Sequence, residues 1–156
     1  MNQMRRKTLK AGGSAGVLAL LAAAGIIGPG DVLAADWNKA AFEGKSTQDA
    51  LKALGAASAA NSGDIVIRAA DIAENGAVVP VGVESKIAGT QTISILIDKN
   101  PNALAASFEL PAGTEPSVTT RVKMGQTSDV YALVKADGKF YLAKKEIKVT
   151  LGGCGG

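Results

Sequence analysis

The sequence predicts a mainly β domain: an immunoglobulin-like β-sandwich of about seven strands, with an N-terminal helix and a flexible Gly-rich C-terminal arm. Three observations predict it. From Asp64 onward, apolar residues recur at every second position in short runs. Those runs lie about ten residues apart and are separated by Gly, Pro, Asn and Asp, the residues of turns. The last strand then gives way to Gly152-Gly153-Cys154-Gly155-Gly156, where nothing but one thiol is able to pack. The chain has one cysteine. The Cys–Trp–Cys core of antibody domains is therefore missing, and only the architecture is predicted.

Residues 1–34 read as a removable export signal. Arg5, Arg6, Lys7 and Lys10 precede an uncharged stretch, Ala11 to Gly30, whose hydrophobicity comes from Val17, Leu18, Leu20, Leu21, Ile26 and Ile27. The stretch is short and diluted by Gly and Ala, which argues against permanent membrane insertion. Val32-Leu33-Ala34 suits a signal peptidase, with cleavage after Ala34 or Ala35. Met4-Arg5-Arg6-Lys7-Thr8-Leu9-Lys10 resembles a twin-arginine motif, with Thr8 where that motif usually carries Phe. A general secretory signal with two arginines is the alternative. Either route predicts a periplasmic protein.

Residues 35–63 are expected to be a helical segment and linker. Ser46 and Asp49 stand at capping-box spacing, and Ala50, Leu51, Leu54 and Ala57 follow at helical intervals. A helix this short needs tertiary packing to persist, so its apolar stripe should lie on the domain or on a partner. Trp37 and Phe42 are candidate anchors for it.

Residues 64–151 hold the strands. Ile65, Val66 and Ile67 open the series. Val79, Val81 and Val83 alternate with Val78, Pro80 and Gly82, and Pro80 places that strand at an edge or a bulge. Ile93, Ile95 and Ile97 follow, then Ala106, Phe108 and Leu110, then Val118 and Val122. Val130, Ala132 and Val134 form the sixth run, and Phe140 and Leu142 lead to Ile147, Val149 and Leu151. Asn75-Gly76 and Asp137-Gly138 supply positions that tolerate positive φ, and Asp137-Gly138 is the clearest hairpin turn. Asn100-Pro101-Asn102 and Pro111-Ala112-Gly113 mark loops.

Residues 152–156 form the expected arm. Glycine samples φ of either sign, so the segment should be slim and mobile. Fully extended, it carries Cys154 about 10 Å beyond Leu151. The thiol has no cation, helix N-terminus or imidazole beside it in sequence, and an unperturbed thiol is mostly protonated near neutral pH. A tethered, unactivated nucleophile suits a carrier that waits for a partner better than it suits a catalyst. In an oxidising compartment an unpaired thiol is a liability unless it is used or paired between chains. An accidental tail cysteine and a disulfide-linked dimer through Cys154 are the other readings.

Composition excludes several functions. The chain has no histidine, so it lacks the usual neutral-pH general base and the commonest metal ligand. Asp and Glu are scattered, with no pair suited to acid–base work and no metal-loop spacing. No cofactor is expected. The chain carries 17 Lys and Arg against 14 Asp and Glu, and residues 1–34 hold four of the former and one of the latter, which leaves residues 35–156 balanced at 13 each. No basic footprint for nucleic acid survives in the mature chain. Lys144, Lys145 and Lys148 near the arm read either as a solvated strand face or as a site for anionic adducts or an acidic partner. Val78 to Val83 read as core or as part of a partner interface.

The chain resembles the SoxY family, the cargo-bearing subunits of the SoxYZ carrier in thiosulfate oxidation. The resemblance covers nearly the whole chain. It rests on the twin-arginine-like signal, on Glu74-Asn75-Gly76-Ala77-Val78-Val79-Pro80-Val81, on Lys99-Asn100-Pro101-Asn102, on Arg121-Val122-Lys123-Met124 and on Gly152-Gly153-Cys154-Gly155-Gly156. It implies a non-enzymatic carrier holding sulfur intermediates on Cys154, paired with SoxZ and visited by the heme-containing SoxAX, the hydrolase SoxB and the dehydrogenase SoxCD. Twin-arginine export would carry the folded pair together. A C-terminal thiocarboxylate carrier, and an exported structural or adapter β-sandwich using Cys154 only for intermolecular disulfides, are the rival functions.

Overall fold

A computed structural model describes residues 38–150. The export signal, its cleavage point, Trp37, Leu151 and the segment 152–156 with Cys154 lie outside the described residues. The element order is α1 (Lys39–Glu43), α2 (Thr47–Ala53), β1 (Ala60–Asn61), β2 (Ile65–Arg68), β3 (Ile72–Ala73), β4 (Val79–Ser85), β5 (Thr90–Ile97), β6 (Leu104–Glu109), β7 (Ser117–Val122), β8 (Ser128–Ala136) and β9 (Lys139–Val149). The expected mainly β sandwich is what forms. Its seven expected runs are the seven longer strands, and β1 and β3 are two-residue additions.

The strands make two sheets. The larger runs β1-β9-β8-β5-β6, with β3 also paired to β9; the smaller runs β2-β4-β7. Alternation decides which side chains face which layer. Ile93, Ile95 and Ile97 of β5 and Val130, Ala132 and Val134 of β8 are fully buried against Val79, Val81, Val83 and Val122 of the smaller sheet. The opposite face of the larger sheet presents Leu96, Leu133, Tyr131, Phe140 and Leu142. There α1 and α2 cover it through Ala41, Phe42, Ala50, Leu51 and Leu54. The apolar stripe of the N-terminal segment is thus packed on its own domain. A register shift at Ile95/Leu96 lets Leu104 follow Leu96 to the helix side, while Phe108 faces the inter-sheet core.

Three sequence expectations change in detail. The single N-terminal helix is two, interrupted at Gly44, where a Cβ would stand 3.0 Å from the backbone nitrogen of Ala50. The close approach of the two helices needs that missing side chain. The Ser46 cap of α2 forms as expected: its Oγ accepts from Asp49 N at 3.1 Å and donates to Asp49 Oδ2 at 2.7 Å. The expected linker contains β1, which pairs in parallel with Tyr141 and Leu142. Pro80 lies in the middle strand of the smaller sheet rather than in an edge strand. It sits beyond the reach of β2, whose pairing stops at Gly82, so β4 has one neighbour there and no ladder bond is lost.

The hairpin turn forms at Asp137 (φ 46°) and Gly138 (φ 74°), the paired positive φ values of a tight β8–β9 connection. Asn75-Gly76 is a turn of another kind. Val78 N donates to Asn75 O at 3.3 Å and Ala77 N to Asn75 Oδ1 at 2.9 Å, with neither residue at positive φ. Glycine is needed at 76 for space, as described next.

Candidate functional site: the root of the C-terminal segment

β9 is the longest of the described strands, with 11 residues, and the described residues end at Thr150, just past its C-terminus and four positions before Cys154. The residues around that end decide how the following segment is presented. On one side, β3 runs parallel to β9 and pairs Ile72 with Lys148 and Ala73 with Val149. Lys148 N donates to Asp71 O at 2.9 Å and Thr150 N to Ala73 O at 3.1 Å. On the other side, Val149 N donates to Thr127 Oγ1 at 3.0 Å. The final residues of the strand are therefore held from both flanks.

A third contact closes the end of the sandwich. A Cβ on Gly76 would lie 2.3 Å from Met124 O and 2.8 Å from Val149 Cγ1, so no side chain fits. Met124 N donates to Gly76 O at 2.7 Å, and Asn100 Nδ2 donates to Lys123 O at 2.7 Å. The three internal sequence motifs, 74–81, 99–102 and 121–124, are thereby brought together at the same end of the molecule as Thr150. Met124, Ala73 and Val149 join the inter-sheet core there.

The lysines of β9 do different work. Lys144 pairs with Asp129 at 3.2 Å, and the hydrogen bond it donates to that carboxylate raises its pKa. Lys145 points toward the smaller sheet, donating to Ala69 O at 2.6 Å and to Asp71 Oδ1 at 2.9 Å. That donation, with the charge behind it, lowers the pKa of Asp71. Lys145 thus fastens the chain leading into β3, whereas Lys144 ties β9 to β8. Lys148 forms no ion pair among the described residues. On the outer edge of β9, β1 pairs with Tyr141 and Leu142 and β3 with Lys148 and Val149, so Lys148 stands on a paired stretch while Lys144 and Lys145 lie between the two pairings.

Val79, Val81 and Val83 are core, whereas Val78 is 49% exposed. Phe42 packs beneath the helices on the larger sheet. The sequence missed the residues that hold the root: Ala73 and Thr127 carry no motif signal, and Gly76 was legible as a turn residue within a family motif but not as a packing contact. Among the described residues, no three His, Cys, Asp or Glu side chains gather where they could hold a metal ion. None of the described helices is long and apolar enough to cross a membrane. A groove of about 930 Å³ lies at the opposite end, lined by Gly89, Glu109, Lys135, Asp137 and their neighbours.

Residues 50–154 match the model of the family described as sulfur oxidation protein SoxY. Among solved structures, the sulfur carrier protein SoxY from Chlorobium limicola f thiosulfatophilum is similar at 39% identity and a TM-score of 0.58, over 66% of this chain and 96% of that one. Superoxide reductase (neelaredoxin) from Ignicoccus hospitalis is similar at 20% identity and a TM-score of 0.49, over 55% of this chain and 79% of that one. No curated protein matches the chain.

Proposed function

The chain belongs to the SoxY family of sulfur oxidation proteins, and from that membership we propose that it carries sulfur intermediates covalently on Cys154 and presents them to partner enzymes in thiosulfate oxidation. The observation that carries the proposal is the fixed root: Val149 and Thr150 are bonded to Thr127 and Ala73, four residues before the one cysteine of the chain. A rigid root followed by Gly152 and Gly153 suits delivery of a thiol into another protein's pocket.

The chemistry runs as follows. The Cys154 thiol gives up its proton, and a bond forms between its sulfur and the outer sulfur of thiosulfate. Two electrons pass to the heme-containing SoxAX as oxidant. Water then cleaves the terminal sulfone at SoxB, releasing sulfate and leaving a persulfide on Cys154. Where SoxCD operates, it takes six electrons from the outer sulfur as three waters supply oxygen, and a second hydrolysis frees sulfate and the thiol. The chain supplies the attachment point and the tether, and the enzymes supply activation, because nothing adjacent to Cys154 in sequence lowers its pKa.

Export by the twin-arginine route to the periplasm, paired with SoxZ, belongs to the same reading and is supported by Arg5-Arg6 ahead of the apolar run. Intact mass of the protein from thiosulfate-grown cells tests the proposal. Reductant-labile sulfur adducts should appear on the wild type and be missing from Cys154→Ser, which should also abolish thiosulfate-dependent growth. Unmodified Cys154 throughout turnover would overturn it.

A further inference from the structure

The length of the tether limits where a receiving enzyme can stand. Leu151, Gly152 and Gly153 separate Thr150 from Cys154, so four fully extended backbone steps carry Cys154 at most about 14 Å from the root. A pocket that takes in Cys154 uses most of that length. Its mouth must then touch the surface immediately around Thr150. The large groove at the far end is excluded by distance, since β9 alone spans roughly 33 Å at a strand rise of about 3.3 Å per residue.

The surface around Thr150 is chemically distinctive. Ile72 is 55% exposed and Val78 49% exposed, and they are the exposed large hydrophobics among the described residues. Both belong to the stretch that clamps the root. Ile72 is in register with Lys148 on β9, and Val78 follows the Gly76 turn that abuts Val149. Their common placement beside the root, within reach of the chain that leads to Cys154, is what marks them out from exposed hydrophobics scattered singly. Lys99, Arg121, Lys123 and Lys148 lie on the same end and form no ion pair among the described residues. Glu74, Asp98 and Glu146 are carboxylates there that likewise lack one, so the four cations exceed them by one.

We infer that Ile72 and Val78, flanked by Lys123 and Lys148, form the face on which each enzyme receiving Cys154 docks, and that the matching surface is a pocket mouth with an apolar rim and acidic side chains around it. This rests on Cys154 being the attachment point. The apolar pair supplies affinity, and the cations supply orientation and encounter rate.

The test is steady-state loading of thiosulfate onto the full protein by the purified heme-containing conjugating enzyme, read by mass on Cys154. Ile72→Thr and Val78→Thr keep the β-branched shape and thus the fold; Val78→Asp is the stronger variant. The double threonine variant should raise KM for the carrier about tenfold with kcat unchanged, while iodoacetamide alkylation of Cys154 and the thermal midpoint stay at wild-type values. Lys123→Glu with Lys148→Glu should raise KM at low salt, with the effect fading at high salt. An unchanged KM in both the double threonine variant and Val78→Asp overturns the inference. So does loss of a stably associated subunit from these variants, which would make the face a permanent interface. A wild-type protein that takes up no adduct overturns the carrier reading itself, a result distinct from an unchanged KM.

Discussion

The backbone N–H of Val149 donates to Oγ1 of Thr127 at 3.0 Å, tying the last residue of β9 to the loop that enters β8. A side chain here replaces the strand neighbour that β9 lacks beyond Ser128. Thr127→Val keeps the shape and removes the acceptor. It should cost about 1–3 kcal/mol if the amide is left unpaired. Hydrogen exchange of the Val149 amide should quicken accordingly, with alkylation of Cys154 unaffected.

Gly76→Ala should be among the costlier single-methyl changes. The added carbon would stand 2.3 Å from Met124 O, a backbone atom unable to swing aside. Overpacking of this sort costs about 1–3 kcal/mol. Urea denaturation should show the loss, and the amides of Met124 and Thr150 should shift in NMR spectra.

Acid should loosen the entry to β3. Lys145 holds the Asp71 carboxyl below its ordinary range by hydrogen bond and charge. The folded pKa is lower than the unfolded one, so the contribution is present above the unfolded value of about 3.9 and is lost as pH falls through the folded value. The carboxylate is exposed, so the effect is local. NMR titration downward from pH 6 should show the Lys148 amide, which bonds Asp71 O, moving in this acid range. Asp71→Asn should remove the inflection.

Leu133→Ala tests the helical layer. Leu133 is 3% exposed and lies on the larger sheet beneath α1 and α2. The substitution should cost about 2–5 kcal/mol. Proteolysis at residues 38–60 should accelerate before the sandwich unfolds, because the inter-sheet core contains none of the lost contacts.

The strands were legible because burial on alternate faces leaves a period of two, as in Ile93, Ile95 and Ile97. Asp137-Gly138 was legible because its turn needs positive φ twice. β1 and β3 were not, since two-residue parallel pairings have no period to detect and depend on where β9 lies in space. The break at Gly44 was not legible, because its role, admitting Ala50 at close range, is set by tertiary packing. The candidate site divides the same way. The thiol and its glycines are visible in order along the chain, whereas Thr127 and Gly76 act on Val149, and Ala73 on Thr150, from far away in sequence. Pro80 shows that the rule about edges applies to a position, not to a whole strand.

The placement of β9 between β8 and the parallel pair β1 and β3 has a mechanical consequence. A tension applied at Thr150 runs along the strand axis, so its ladder bonds are strained together in shear. A terminal strand hung on a sheet's rim by a few bonds would instead unzip one bond at a time. A pull on the segment beyond Thr150 is therefore borne by several ladder bonds at once, and the strain passes into β8 instead of stripping a last strand.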